Sequence, residues 1–160
     1  MPRVVASRLV ELPAEDAVAL WTNVGRWPTF IEGFARTLEL DDGWPEGGSK
    51  LVWESTPAGR GRVTERVLEY TPSGGEQPAR LSTQVFEERL MGTQTVSFES
   101  AEGGTLVEIA LEYELQPNAA SRQGLLGKLN DLFFIRNAQS SSLERTLRRF
   151  ATEAAEENAL

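Results

Sequence analysis

Cysteine and histidine are both absent from the 160 residues. Without cysteine the chain has no disulfide, thiolate nucleophile, CxxC metal site or iron–sulfur cluster. Without histidine it lacks Ser-His-Asp and Cys-His catalysis, the usual zinc sites and ordinary haem ligation. Carboxylate, Lys, Arg, Tyr and backbone chemistry remain. There is no DxD-like cluster for a phosphate-bound magnesium and no GxxxxGK[ST] loop. "GRGRVT", Gly59 to Thr64, lacks the third glycine of a dinucleotide fingerprint. No metal and no cofactor are therefore expected. Basic residues are also scarce, 16 Lys and Arg against 24 Asp and Glu, for a net charge of −8. That balance repels phosphate backbones, so no nucleic-acid partner is expected. No apolar run approaches the ~20 residues that cross a bilayer, so no membrane insertion is expected. The start, "MPRVVASRLVELPAED", shows no basic stretch followed by an apolar one, and a soluble, cytoplasmic protein is the expectation.

What the chain does contain reads as one domain over residues 1–160, long enough to bury roughly 70% of its unfolded surface. Val4 to Leu12 reads as a strand ended by Pro13. A helix follows, with Pro13 at its start, Glu15 and Asp16 in its first turn, and Ala17, Leu20, Trp21 and Val24 at helical spacing. The segment "GRWPTFIEGF" then places Trp27, Phe30 and Phe34 close together, and a short second helix begins at Pro28 and runs to about Gly33. From Phe34 onward the hydrophobic period is two. It predicts strands at Ala35–Asp41, Lys50–Ser55, Arg62–Thr71, Arg80–Arg89, Thr93–Glu99 and Thr105–Leu115. Short Gly- and Pro-rich turns join them, which implies an antiparallel meander. After "QPN" a helical period runs from about Ala119 to Glu157, with Asn118 as N-cap. Glu153, Glu156 and Glu157 carry the wrong sign for a helix C-terminus, and fraying is expected there.

This order of elements resembles the START-like (SRPBCC, helix-grip) superfamily, and within it the polyketide cyclase/dehydrase and lipid-transport branch. Pro13-Ala14-Glu15, Leu20-Trp21 and Trp27-Pro28-Thr29-Phe30 carry the resemblance locally. It implies an α+β helix-grip fold, a curved antiparallel sheet of about seven strands wrapped around a long C-terminal helix, with two short helices after strand 1. A cavity for an apolar ligand would lie between sheet and helix. Trp27 and Phe30 then either line the mouth of that cavity or plug its end as core.

On the long helix, Leu125, Leu129, Leu132, Phe133, Leu143, Leu147, Phe150 and Ala154 fall on one arc, with Asn130, Asp131, Arg145, Arg148 and Arg149 opposite. Arg136 and Ser140 interrupt the apolar arc. A buried arginine needs a carboxylate, cavity water or a ligand oxygen as its partner, and all three stay open. Phe134 lies on the back of the helix, either as a lone exposed aromatic or as a contact with a second subunit in a homodimer. The candidate ligand-binding set is Trp27, Phe30, Trp53, Phe98, Tyr113, Phe133, Arg136 and Ser140. Gln94 and Thr83 join it if strand register turns them inward. No catalytic set is assigned.

Two functions follow from the resemblance: binding or transport of a small hydrophobic ligand, lipid or polyketide-like, or a polyketide cyclase/aromatase-type reaction without metal or histidine. A protein-binding member of the same fold is a third reading. Clustered ionisable groups with shifted pKa values in the cavity would favour the enzyme, and a purely apolar lining the carrier.

Overall fold

The computed structural model describes residues 2–57, 59–72, 77–116 and 124–160, the last of these with side chains from Phe134 onward. Strand β1 (Arg3–Val10) leads to helix α1 (Ala14–Thr22), a 3-10 turn (Val24–Arg26) and helix α2 (Trp27–Phe30). Six strands follow: β2 (Phe34–Leu40), β3 (Lys50–Ser55), β4 (Arg62–Thr71), β5 (Ala79–Phe86), β6 (Leu90–Ala101) and β7 (Gly104–Leu115). Helix α3 (Gly124–Asn158) closes the order. The predicted β3 and β4 coincide with those observed, and the others differ by a few residues at their ends. Helix α2 stops short of the predicted Gly33, whose φ of +76° turns the chain into β2, a conformation suited to glycine. The predicted N-cap Asn118 lies outside the described residues.

All pairings in the seven-stranded sheet are antiparallel, in the order β1-β7-β6-β5-β4-β3-β2. Strand β1 thus joins the far edge of the meander by pairing with β7. Register breaks in β2 and between Val67 and Glu69 in β4 bend the sheet. Gly92 in β6 lies opposite Tyr113, and a Cβ there would sit 2.1 Å from the Glu112 carbonyl oxygen. Only glycine permits so close an approach of the two strands. The resulting curved sheet carries α3 on its inner face, which is the helix-grip arrangement.

The lower half of α3 makes the core. Leu143, Leu147, Phe150 and Ala154 are buried at helical spacing, as the apolar arc predicts. Phe150 packs edge-on against Trp21 and Phe30, with ring centroids 5.1 and 5.0 Å apart. Polar contacts fix the helix at this end. Arg26 donates to Glu153 at 2.9 Å and to Glu157 at 3.2 Å. The acidic last turn therefore does not fray as expected: α3 stays helical to Asn158, because Arg26 supplies the positive charge that its own last turn lacks.

Burial fades toward the first half of α3. Phe134 (77% exposed), Arg136, Asn137 and Ala138 all face solvent, and of the described residues before Gln139 only Ile135 is partly covered. Arg136 is therefore exposed, a correction to the projection that centred it on the buried face. The projection orders residues around the helix axis, but it cannot say how far along that axis the sheet continues to cover them. The predicted apolar positions Leu125, Leu129, Leu132 and Phe133 lie outside the residues with described side chains. Among the described residues, no helix is long and apolar enough to cross a membrane.

Candidate functional site

The aromatics between α1 and β2 have structural duties first. Helix α1 ends without a basic residue in its last turn, and its terminal carbonyls need donors. The Trp27 indole N–H donates to the Trp21 carbonyl at 2.7 Å, and the Trp44 indole N–H donates to that of Thr22 at 2.9 Å. Trp27 also meets Phe34, Trp44 and Trp53 edge-on. Phe30 is fully buried between Trp21 and Phe150.

Strand β4 supplies the unexpected feature. Val63, Glu65 and Val67 share the inner face, and all three are buried, Glu65 at 4% exposure. The Trp53 indole N–H on β3 donates to Glu65 Oε2 at 2.8 Å, while the Thr83 hydroxyl on β5 donates to Oε1 at 3.0 Å. Burial pushes this carboxyl above the usual carboxylate range. The Trp53 bond, the Arg60 charge and the Thr83 bond pull the other way without cancelling the shift. Arg60, from the β3–β4 turn, lies over the Trp53 ring with its guanidinium carbon 5.3 Å from the ring centroid. Its Nε donates to Glu87 in the β5–β6 turn, so the ion pair ties together two loops at one end of the sheet.

A cleft of about 410 Å³ opens between these loops and α3. Its walls are Glu32 and Gly33, the β3–β4 and β5–β6 turns with Arg60, Glu87, Glu88 and Arg89, and Ile135, Ala138, Gln139, Ser142 and Arg145 of α3. Behind it lies a second, smaller space of about 20 Å³ between sheet and helix. Trp27, Trp53, Glu65, Gln94, Leu143 and Thr146 help to line that small void. The two spaces share Glu32, Arg60, Gln139 and Ser142 as a common wall. Glu32 holds this wall in place. Its carboxylate pairs with Arg145 and with Arg149, each at 3.1 Å, and its backbone N–H donates to the Thr146 hydroxyl at 3.0 Å.

The structure divides the sequence-predicted residues. Trp27 and Trp53 line the inner void. Phe98 and Phe30 pack around Trp21 in the core and line neither space. Tyr113 is buried, and its hydroxyl has no hydrogen-bond partner among the described residues. Burial pushes this hydroxyl above the usual phenol range, so it ionises less readily, against a smaller opposite pull from the Arg136 charge. Ser140 is half-buried and lines neither space, Arg136 is exposed, and the Phe133 side chain lies outside the described residues. Sequence reasoning missed Glu32, Arg60, Glu65 and Glu87. Gln94 and Thr83 do turn inward, Thr83 as a ligand of Glu65 and Gln94 on the void. Among the described residues no group of acidic side chains is gathered to hold a metal ion.

Comparison with known proteins agrees with this architecture. A di-domain ARO/CYC protein from the steffimycin biosynthetic pathway superimposes with a TM-score of 0.77 at 16% identity; the alignment covers 99% of this chain and 52% of that one, so this chain spans about half its length. A START superfamily protein from Mycobacterium smegmatis gives 0.68 at 13% identity, over 96% of this chain and 97% of that one. A Staphylococcus aureus protein of unknown function gives 0.71 at 12% identity, over 99% and 96%. Identities this low show a shared fold. No curated protein matches the chain in sequence. Residues 1–155 match the family described as polyketide cyclase / dehydrase and lipid transport, and the chain belongs to that family.

Proposed function

We propose that the chain binds a small hydrophobic molecule, lipid or polyketide-like, in the cleft between α3 and the β3–β4 and β5–β6 turns. The observation that carries this reading is the placement of the cleft against the inner void across a shared wall of Glu32, Arg60, Gln139 and Ser142. At about 410 Å³ the cleft falls within the roughly 300–1,000 Å³ of small-molecule sites. Leu90, Ile135 and Ala138 are the apolar surface of the cleft that such a ligand would meet.

The polar lining favours a second reading, a cyclase-type reaction. Burial raises the pKa of the Glu65 carboxyl toward the range a general acid needs, and the Arg60 guanidinium is placed to polarise a carbonyl. This reading assigns Glu65 and Arg60 the chemistry, with Glu32 and Glu87 holding the surrounding loops.

Titration with 1-anilinonaphthalene-8-sulfonate tests the binding reading, with Trp fluorescence as a second signal. Saturable one-to-one binding is expected, and Ala138→Trp, at an exposed position on the cleft wall, should abolish it while the fold is retained. Binding that Ala138→Trp leaves intact would remove the cleft from consideration.

A further inference from the structure

The inner void is small, and that restricts what enters it. About 20 Å³ is room for one water-sized group, since roughly 10–15 Å³ is the minimum for a water. A ring, a carboxylate or a phosphate does not fit. The groups around the void are polar on three sides: Glu65 and Gln94 from the sheet, Arg60 from the β3–β4 turn, and Gln139, Ser142 and Thr146 from α3. Cross-strand register places Gln94 opposite Thr83, beside the Thr83 bond to Glu65. Trp53 and Thr83 occupy one site on each Glu65 oxygen, and a carboxyl group has about four such sites. Glu65 lines the void together with Gln94 and Arg60, both N–H donors.

We propose that this void is a subsite for a single hydroxyl group of the ligand, which donates to Glu65 and accepts from Gln94 or Arg60 while the apolar body of the ligand stays in the outer cleft. This deepens the ligand-binding reading and rests on it. A hydroxyl suits the site because it both gives and takes a hydrogen bond, so it serves whether Glu65 is ionised or carries its proton. Anionic head groups are disfavoured twice. They exceed the volume, and they have no proton to donate to Glu65. A ligand ending in a hydroxyl is selected over its ether, its hydrocarbon and its carboxylate.

Isothermal titration of the full chain at pH 7 with naphthalene, 2-naphthol, 2-methoxynaphthalene and 2-naphthoate tests this. The expected order has 2-naphthol tightest, by about tenfold over the methyl ether, which accepts but cannot donate. Naphthoate should bind weakest. Gln94→Leu leaves the Trp53–Glu65–Thr83 bonds in place, and should cut the advantage of naphthol to less than about threefold while naphthalene binds as before. Glu65→Gln should raise the affinity for naphthoate relative to naphthol. Equal affinity for naphthol and its ether, or naphthoate as the tightest ligand, overturns the subsite and leaves cleft binding standing. Failure of all four compounds to bind overturns the ligand-binding reading, and the subsite with it.

Discussion

Replacing Glu65 by leucine or by glutamine separates what its hydrogen bonds contribute from what its ionisation costs. Leucine leaves the Trp53 indole N–H and the Thr83 hydroxyl without the partners now at 2.8 and 3.0 Å. Each orphaned buried polar group costs about 1–3 kcal/mol, so Glu65→Leu loses about 2–6 kcal/mol for the pair. Glutamine keeps both bonds, since its carbonyl accepts from Trp53 and its amide donates to the Thr83 oxygen. The Leu variant is therefore expected to be about 2–6 kcal/mol less stable than the Gln variant. For a chain of this size that is roughly 5–20 °C in melting temperature. Comparing the two variants with each other, and not with the wild type, removes the carboxyl's own protonation from the measurement. Urea unfolding followed by Trp fluorescence gives the free energies, and equal slopes for the two variants would show that the unfolded states match. Stabilities within 0.5 kcal/mol of each other would refute the account of a buried carboxyl held by two donors.

The remaining expectations use the same assay. Burial raises the folded-state pKa of Glu65 above its unfolded value, so the contribution of this group is fully present below the usual carboxylate range and is lost as pH rises through the folded value. Wild type should therefore lose stability relative to Glu65→Gln as pH is raised from about 4.5 toward neutrality, and a gap that closes over that range contradicts the assignment. Phe150→Ala removes a fully buried ring packed edge-on against Trp21 and Phe30 and should cost about 3–5 kcal/mol, whereas Phe134→Ser on the exposed back of α3 should stay within about 0.5 kcal/mol. Arg26→Met removes two ion pairs from the last turns of α3. With the arginine side chain about one-third exposed it should cost only about 0.5–1 kcal/mol, less in high salt.

Much of the fold was legible because period and punctuation agree along most of the chain. Strands β3 and β4 begin and end where Gly- and Pro-rich turns interrupt the alternation, so their limits coincide with the predicted ones. On β7 the alternation places Val107, Ile109, Leu111 and Tyr113 inward, and all four are buried. The end of α3 misled because helix-terminal charge was judged from the helix alone. Arg26, more than 120 residues away in sequence, supplies the missing cation. No local rule contains that pairing. Trp27 was read as mouth or plug, and its capping of α1 depends likewise on where the 3-10 turn returns the chain.

The site depended on how to read a charge inside an apolar row, and the same kind of breach occurs twice. On α3, Arg136 interrupts the steps that lead to Leu143 and Leu147, yet it is exposed. On β4, Glu65 stands between Val63 and Val67, and it is buried. The difference lies in what guarantees burial. Strand β4 is hydrogen-bonded to β3 on one side and β5 on the other, so parity keeps every second residue inward from Val63 to Val67, up to the register break before Glu69. A long helix is buried only over the length that the sheet covers, and at Arg136 the cover no longer reaches the side chain. A carboxylate in the apolar row of a central strand is therefore the stronger signal of a functional interior. In "RVTERVLEY" that signal was present at Glu65, with Arg62, Thr64 and Arg66 on the opposite parity, but Leu68 on that same parity made the alternation ambiguous.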